Sequence, residues 1–166
     1  MGKIRLPEKT PAILLLPIFT ARSDATINYM QLHKDGLIEL NYNVASDILI
    51  MRWPDLTGFT MPEIDYAIRK IIDTLRHYDI KHLLVDSRFS TLSDLTRDEY
   101  QQVLVNFVQH LKTTRLQKLA RICTPDASRE LVIDETADLA VNQLAIKFHF
   151  RNFADEAAAL MWLSEK

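Results

Sequence analysis

The densest group of side chains able to do chemistry lies in one polar stretch, residues 86–96. The candidate site residues among its carboxylate, guanidinium and hydroxyl side chains are Asp86, Ser87, Arg88, Ser90, Ser93, Asp94 and Thr96. The stretch follows a predicted strand and leads into a predicted helix, whose free backbone N–H groups and positive dipole end favour anions. Together with Arg88 and the hydroxyls, these groups can hold an anion or accept a phosphoryl group. Helix capping and turn formation explain the same residue types, so both interpretations stay open.

A second polar loop, residues 124–128, follows the next predicted strand and contributes Thr124 and Asp126. The carboxyl ends of successive parallel strands meet at one edge of a sheet, which is where open α/β sheets bind ligands. We therefore expect the two loops to lie side by side and to line one surface.

Several kinds of active site are excluded by residues that the chain lacks. Its three glycines, at positions 2, 36 and 58, cannot form a glycine-rich phosphate loop or a GxSxG nucleophile turn. Its five histidines lack zinc-binding spacings, and its one cysteine, Cys123, excludes an internal disulfide and a cysteine-based zinc cage. We therefore expect no metal and no cofactor. No nucleophile–base pair can be recognised, which favours a non-catalytic protein and leaves an enzymatic role open.

The composition is that of an ordinary globular domain, with 48% hydrophobic and 25% charged residues among 166. The 20 basic and 22 acidic side chains give a formal net charge of −2, so no nucleic-acid partner is expected. The apolar stretch 12–19 loosely imitates a signal peptide, but Pro11 and Pro17 bracket it, and it is too short to span a bilayer. With one cysteine and no membrane span, we expect a cytoplasmic protein.

The chain divides into an N-terminal arm, residues 1–27, and a single α/β domain, residues 28–166. The arm contains three prolines and has no clean hydrophobic period, yet Ile13–Leu16, Ile18 and Phe19 would be costly to leave in water. We expect it to cover a sheet edge or a helix face. Because the covered face can belong to a neighbouring subunit, and because Trp53 and Pro54 look exposed, a homodimer formed through the arm is predicted.

Hydrophobic periodicity and capping residues predict the element order ββαβαβαβα for the domain. Strands are expected at 37–42, 47–53, 81–86, 119–123 and 146–151. Capping boxes begin helices at Thr60, with Glu63, and at Thr96, with Glu99; two more helices are expected at 128–143 and 155–163. The fold class is therefore α/β: a largely parallel sheet of right-handed βα units with an N-terminal hairpin and helices packed on the sheet.

This order, with the stretches Leu83–Arg88 and Phe153–Leu163, resembles the SpoIIAA-like STAS superfamily, and within it an uncharacterised bacterial branch. The resemblance implies a regulatory domain that binds a protein partner. In the anti-sigma-factor antagonists of this superfamily, a serine in an Asp-Ser-Ser-Gly motif is phosphorylated. The register from Asp86 places Asp94 on the motif aspartate and Thr96 on the phosphoacceptor. Leu95 and Arg97 replace the first serine and the glycine, so Thr96 is at most a weak phosphoacceptor.

Two functions are predicted. The first is a non-catalytic regulatory or protein-interaction domain that acts through the loop after the central strand. The alternative is a module that binds a small molecule or lipid in a pocket at the carboxyl edge of the strands. For that pocket, Trp53, Phe89 and Phe107 are the expected apolar walls, and Arg88 is the expected charged group.

Overall fold

The computed structural model describes residues 28–90 and 94–165 of the chain. Six strands are present within these ranges: β1 (Met30–Lys34), β2 (Glu39–Asn43), β3 (Ile48–Arg52), β4 (His82–Asp86), β5 (Lys118–Ile122) and β6 (His149–Phe153). The helices are α1 (Met61–His77), α2 (Arg97–Leu111), α3 (Ala127–Gln143) and α4 (Glu156–Ser164). The predicted arm, and with it the predicted arm-mediated dimer, lies outside the described residues.

The sheet has the order β1-β2-β3-β4-β5-β6, so every strand pairs with its neighbour in sequence. β1, β2 and β3 form an antiparallel meander, and β3, β4, β5 and β6 run parallel. The predicted α/β class is therefore confirmed. Strand β1 was not predicted: it is an edge strand of sequence MQLHK, in which only Met30 and Leu32 alternate with polar residues, a short signal for a strand.

Three helices lie on one face of the sheet and one on the other. The strand order advances in one direction, and right-handed crossovers that advance together place their helices on the same side. Leu83 and Val85 of β4 accordingly pack in one core with α1 and α2, whereas Leu84 packs with α4. Residue alternation in the strands thus separates the two cores.

The capping chemistry read from the sequence forms as predicted at both of its sites. Thr60 and Glu63 begin α1, and Thr96 and Glu99 begin α2, each with both reciprocal contacts of the capping box. The last strand differs from its prediction, because its pairing with β5 begins only at His149, opposite Lys118. The alternation at 146–148 belongs to an irregular segment that precedes the strand.

Trp53 and Pro54 are both buried, contrary to the expectation that they lie exposed. Trp53 follows β3 directly, and its ring packs against Phe107 of α2 with the ring centroids 5.4 Å apart. These two residues therefore give no support to self-association. Within the described ranges, no helix is both long and apolar enough to cross a membrane.

Candidate functional site

The carboxylate charge of Asp86, the last residue of β4, is neutralised by Arg88. The Arg88 guanidinium donates to Asp86 Oδ1 over 2.9 Å and to Oδ2 over 2.8 Å, and the Arg88 backbone N–H donates to Oδ1 over 3.2 Å. Burial alone raises the pKa of the Asp86 carboxyl, but these bonds and the positive charges of Arg88 and Arg52 hold that pKa below its usual value. Asp86 is therefore an ionised anchor for the turn, already engaged within the molecule.

The two described serines of this loop are buried and face inward. Ser87 Oγ donates to the Ile122 carbonyl over 2.8 Å, and Ser90 Oγ donates to the Ser87 carbonyl over 3.2 Å. The buried guanidinium of Arg129, in the first turn of α3, donates to both the carbonyl and the hydroxyl oxygen of Ser90. Neither hydroxyl is open to a modifying enzyme in this conformation.

Phe89 projects from this anchored turn into solvent, with 77% of its surface exposed. The Arg88 guanidinium lies 5.4 Å from the centroid of its ring, a cation–π contact. Arg88 also reaches Glu156 at the start of α4, over 3.4 Å. We call Arg88 and Phe89 the rim patch; it is the part of the predicted loop that is presented outward.

Asp94 and Thr96 have structural partners. Asp94 Oδ2 accepts from the Gly58 N–H over 2.7 Å, which ties this loop to the β3–α1 connection. Thr96 Oγ1 accepts from the Glu99 N–H over 3.3 Å and donates to the Glu99 carboxylate over 2.8 Å. A phosphoryl group on Thr96 would place its charge against Glu99 and break the capping box. Ser93, the remaining predicted site residue of the loop, lies outside the described residues.

Thr124 and Asp126 organise the second loop. Thr124 Oγ1 accepts from the Asp126 N–H over 3.0 Å, and Asp126 caps α3 by accepting from the N–H groups of Ser128 and Arg129. Since Arg129 also binds Ser90, the loops after β4 and β5 do lie side by side. The residues that join them are, however, engaged in holding the loops rather than presented to a ligand.

Beneath these loops a cavity of about 90 Å³ lies between the sheet and helices α2 and α3. Its surface is almost entirely carbon, from Val85, Leu104, Phe107, Val108, Leu111, Leu119, Ile133, Ala137, Ala140, Val141, Ile146, Phe148 and Phe150. The residues of its wall that carry polar groups are Trp53, Ser87, Tyr100, Arg121 and Thr136. Of the predicted walls, Trp53 and Phe107 are present. Phe89 and Arg88 belong to the rim patch instead, and the charged residue of the cavity is Arg121.

Arg121 is the residue that sequence analysis missed. It is the fourth of the five residues of β5, with 5% of its surface exposed. Its terminal nitrogens donate to the Glu130 carboxylate over 2.5 and 2.9 Å and to Asn152 over 3.2 Å. A charged residue on the inward face of an apolar strand was the signal that could have revealed it.

Two residues of the cavity wall each carry an unmatched hydrogen-bond donor. Neither Nε of Arg121 nor Nε1 of Trp53 has a hydrogen-bond partner among the described residues, and both atoms are buried. A buried donor without a partner costs about 1–3 kcal/mol. Neighbouring atoms close off both nitrogens from the cavity, so the cavity itself presents almost only carbon.

In the described part of the chain, the cysteine and the metal-ligating side chains do not form an evident catalytic site. Cys123 is half-buried, and burial raises the pKa of its thiol, so the nucleophilic thiolate is disfavoured at neutral pH. No group of three or more His, Cys, Asp or Glu side chains within residues 28–90 and 94–165 is arranged to hold a metal ion.

No family model, no curated protein and no solved structure matches the chain. The resemblance to the SpoIIAA-like STAS superfamily therefore stays a prediction. Arguments about function depend on the geometry of the cavity and of the rim patch.

Proposed function

We propose that this protein is a non-catalytic binding module whose cavity between the sheet, α2 and α3 takes a small apolar molecule. The observation that carries this proposal is the cavity itself. Protein interiors are packed with few voids larger than a water molecule, because every unfilled space forfeits dispersion contacts along its wall. A space of about 90 Å³ walled by large apolar side chains departs from that rule.

The cavity also has a route to solvent. Val141, near the carboxyl end of α3, belongs to the wall and is 61% exposed, and the adjacent wall residue Ile146 is half-buried. Helices that connect parallel strands run back along the sheet, so this end lies near the amino ends of the strands, away from the rim patch. An apolar molecule can therefore enter without disturbing the loops after β4 and β5.

Native mass spectrometry of the freshly purified full chain tests this proposal. We expect a stoichiometric added mass that disappears in Ala140→Leu, because Ala140 is buried in the cavity wall and a larger side chain there takes up the space. Ala157→Leu adds the same atoms at an exposed position of α4 and should retain the added mass. A bare wild-type chain, or a mass retained equally in all three proteins, would count against a ligand in this cavity.

A second candidate function, a protein-interaction domain with a regulatory role, is favoured by the rim patch. Aromatic and arginine side chains dominate the energetics of protein interfaces, and Phe89 is presented on a turn whose neighbours are anchored. The STAS-like element order supports the same role.

This second candidate can be tested by placing a photo-crosslinking phenylalanine analogue at position 89 in the native host. The analogue at position 66 is the matched control, since Tyr66 is an exposed aromatic residue on α1, outside the rim patch. We expect one discrete crosslinked partner from position 89 and none from position 66. Identical crosslinking patterns from the two positions would contradict a specific interface.

A further inference from the structure

We propose that the apolar stretch 12–19 of the N-terminal arm docks on the outer face of α4 in its own chain. That face is formed by Ala157, Leu160, Met161, Ser164 and Glu165, which line a shallow, mostly apolar groove along the helix. Because α4 and the cavity lie on opposite faces of the sheet, this contact is independent of the ligand-binding function proposed above.

Helix α4 is apolar on all its sides, whereas the sheet covers only one of them. Of its nine residues two are polar, and the other seven are alanine, leucine, methionine or tryptophan. Ala159 and Leu163 are buried against the sheet. On the far side, Met161 is 70% exposed, and Ala157, one turn before it, is exposed as well. A helix that is hydrophobic all round is normally buried all round, so the outer face of α4 calls for a covering segment.

The described chain begins close to this helix. Its first residue is Asn28, and the phenol of Tyr29 is partly buried. This burial and the negative charge of Glu156, the first residue of α4, raise the pKa of Tyr29. An electrostatic effect of Glu156 on Tyr29 requires the two side chains to be near each other. The arm therefore joins the domain in the neighbourhood of α4.

The arm is long enough to reach every part of the outer face. Residues 20–27 separate the apolar stretch from Asn28, and eight extended residues span up to about 26 Å. The nine residues of α4 extend over only about 14 Å. The arm can therefore dock within its own chain, without exchange between two molecules.

The composition of the arm complements that of α4. The stretch 12–19 is uncharged and contains five leucine or isoleucine residues together with Phe19. Burying these side chains against an apolar helix face removes both surfaces from water. The arm also carries four basic and two acidic side chains, whereas residues 155–165 carry three acidic side chains and no basic one. Opposite charges around the apolar contact favour this pairing.

A photo-crosslinking phenylalanine analogue at position 161 of the purified full chain tests the docking. Met161 is largely exposed, so the analogue should not disturb folding. We expect a crosslink to a peptide within residues 12–19, in a product that keeps the mass of one chain under denaturing conditions. The analogue at position 66 is the matched control, since Tyr66 is exposed on α1 at the other face of the sheet. It should give no crosslink to that stretch.

Limited proteolysis with chymotrypsin provides a second readout, because docking shields the peptide bond after Phe19. Met161→Asp places a charge within the apolar contact, so cleavage after Phe19 should become roughly tenfold faster than in the wild type. Tyr66→Asp introduces the same charge at an exposed aromatic residue away from α4 and should leave that rate unchanged.

Three outcomes would overturn the proposal. A crosslinked product of twice the chain mass would show that the arm docks on a second copy instead of its own chain. Position 161 failing to crosslink to residues 12–19, or doing so no more than position 66, would show that the stretch does not lie on α4. Equal rates of cleavage after Phe19 in the wild type and Met161→Asp would show that Met161 does not hold the arm.

Discussion

Replacing Glu130 by glutamine should destabilise the fold far more than the same change at a surface ion pair. Glu130 accepts two hydrogen bonds from the terminal nitrogens of Arg121 at 2.5 Å and one at 2.9 Å, and one from the Thr124 N–H over 2.8 Å. Glutamine keeps one acceptor oxygen but turns an amide donor toward a guanidinium that also donates. Glu130→Gln therefore leaves a buried positive charge without compensation.

The expected magnitude follows from the burial of the two partners. Removing one member of a buried ion pair costs about 3–5 kcal/mol, because the other charge stays out of water. The Arg121 side chain is 6% exposed, but Glu130 is 22% exposed, so solvent screens part of the effect. We expect a loss of about 2–4 kcal/mol in the free energy of unfolding. The double variant Arg121→Met with Glu130→Leu should recover most of this loss, since replacing both charges by apolar groups is often close to neutral.

Equilibrium unfolding in urea, analysed for the midpoint at constant m-value, measures this loss. The matched control is Glu135→Gln on the same helix, whose partner Arg97 contacts it over 2.5 Å with both side chains largely exposed. This control should leave the midpoint unchanged within the scatter of the measurement. If Glu130→Gln and Glu135→Gln behave alike, the argument that Arg121 depends on a buried counter-charge is refuted.

Three further predictions concern other parts of the molecule. The pKa of Asp86 is lowered in the folded state, so its stabilising contribution is present near neutral pH and is lost as the pH falls below about 4. The free energies of unfolding of wild type and Asp86→Asn should therefore converge below that pH. A difference between them that stays constant down to pH 2 would refute this. Burial and the bond to Asp47 raise the pKa of Tyr42 to about 12, so the folded state retains a proton that the unfolded state releases. The wild type should therefore lose stability between pH 10 and pH 12 through a component that Tyr42→Phe lacks, and an identical alkaline decline in the two proteins would contradict it. Removal of residues 1–27 should lower the mass measured by light scattering if the arm forms a homodimer; an unchanged monomer before and after removal would refute that interface.

The elements that sequence analysis predicted best are those whose signals are local. Thr60 with Glu63 and Thr96 with Glu99 satisfy backbone groups within one helical turn, so the residues that set each boundary are adjacent in sequence. β1 and the bounds of β6 depend instead on pairing with distant residues. The alternation around Phe148 is genuine, but whether an alternating segment becomes a strand is decided by where its neighbour begins.

The candidate site was predicted in part, for a similar reason. That the loops after β4 and β5 meet follows from parallel topology, which the pattern of strands and helices reveals. The inward direction of Ser87 and Ser90 does not follow, because Ser87 turns to the Ile122 carbonyl of the next strand and Ser90 to Arg129, which reaches back from α3. Arg121 was missed because a single strand does not reveal that Glu130 and Asn152 stand opposite it.

The two edge strands of the sheet, β1 and β6, affect how this protein behaves at high concentration. In the described part of the chain, β1 and β6 each pair on one side only, and open strand edges invite the backbone of another molecule. β1 carries the exposed residues Gln31 and Lys34 and an irregular register between Gln31 and His33, and β6 exposes Arg151. The positive charges on both edge strands, together with the irregular register of β1, make them poor templates for further strands, so stacking of copies into extended fibrillar sheets is disfavoured.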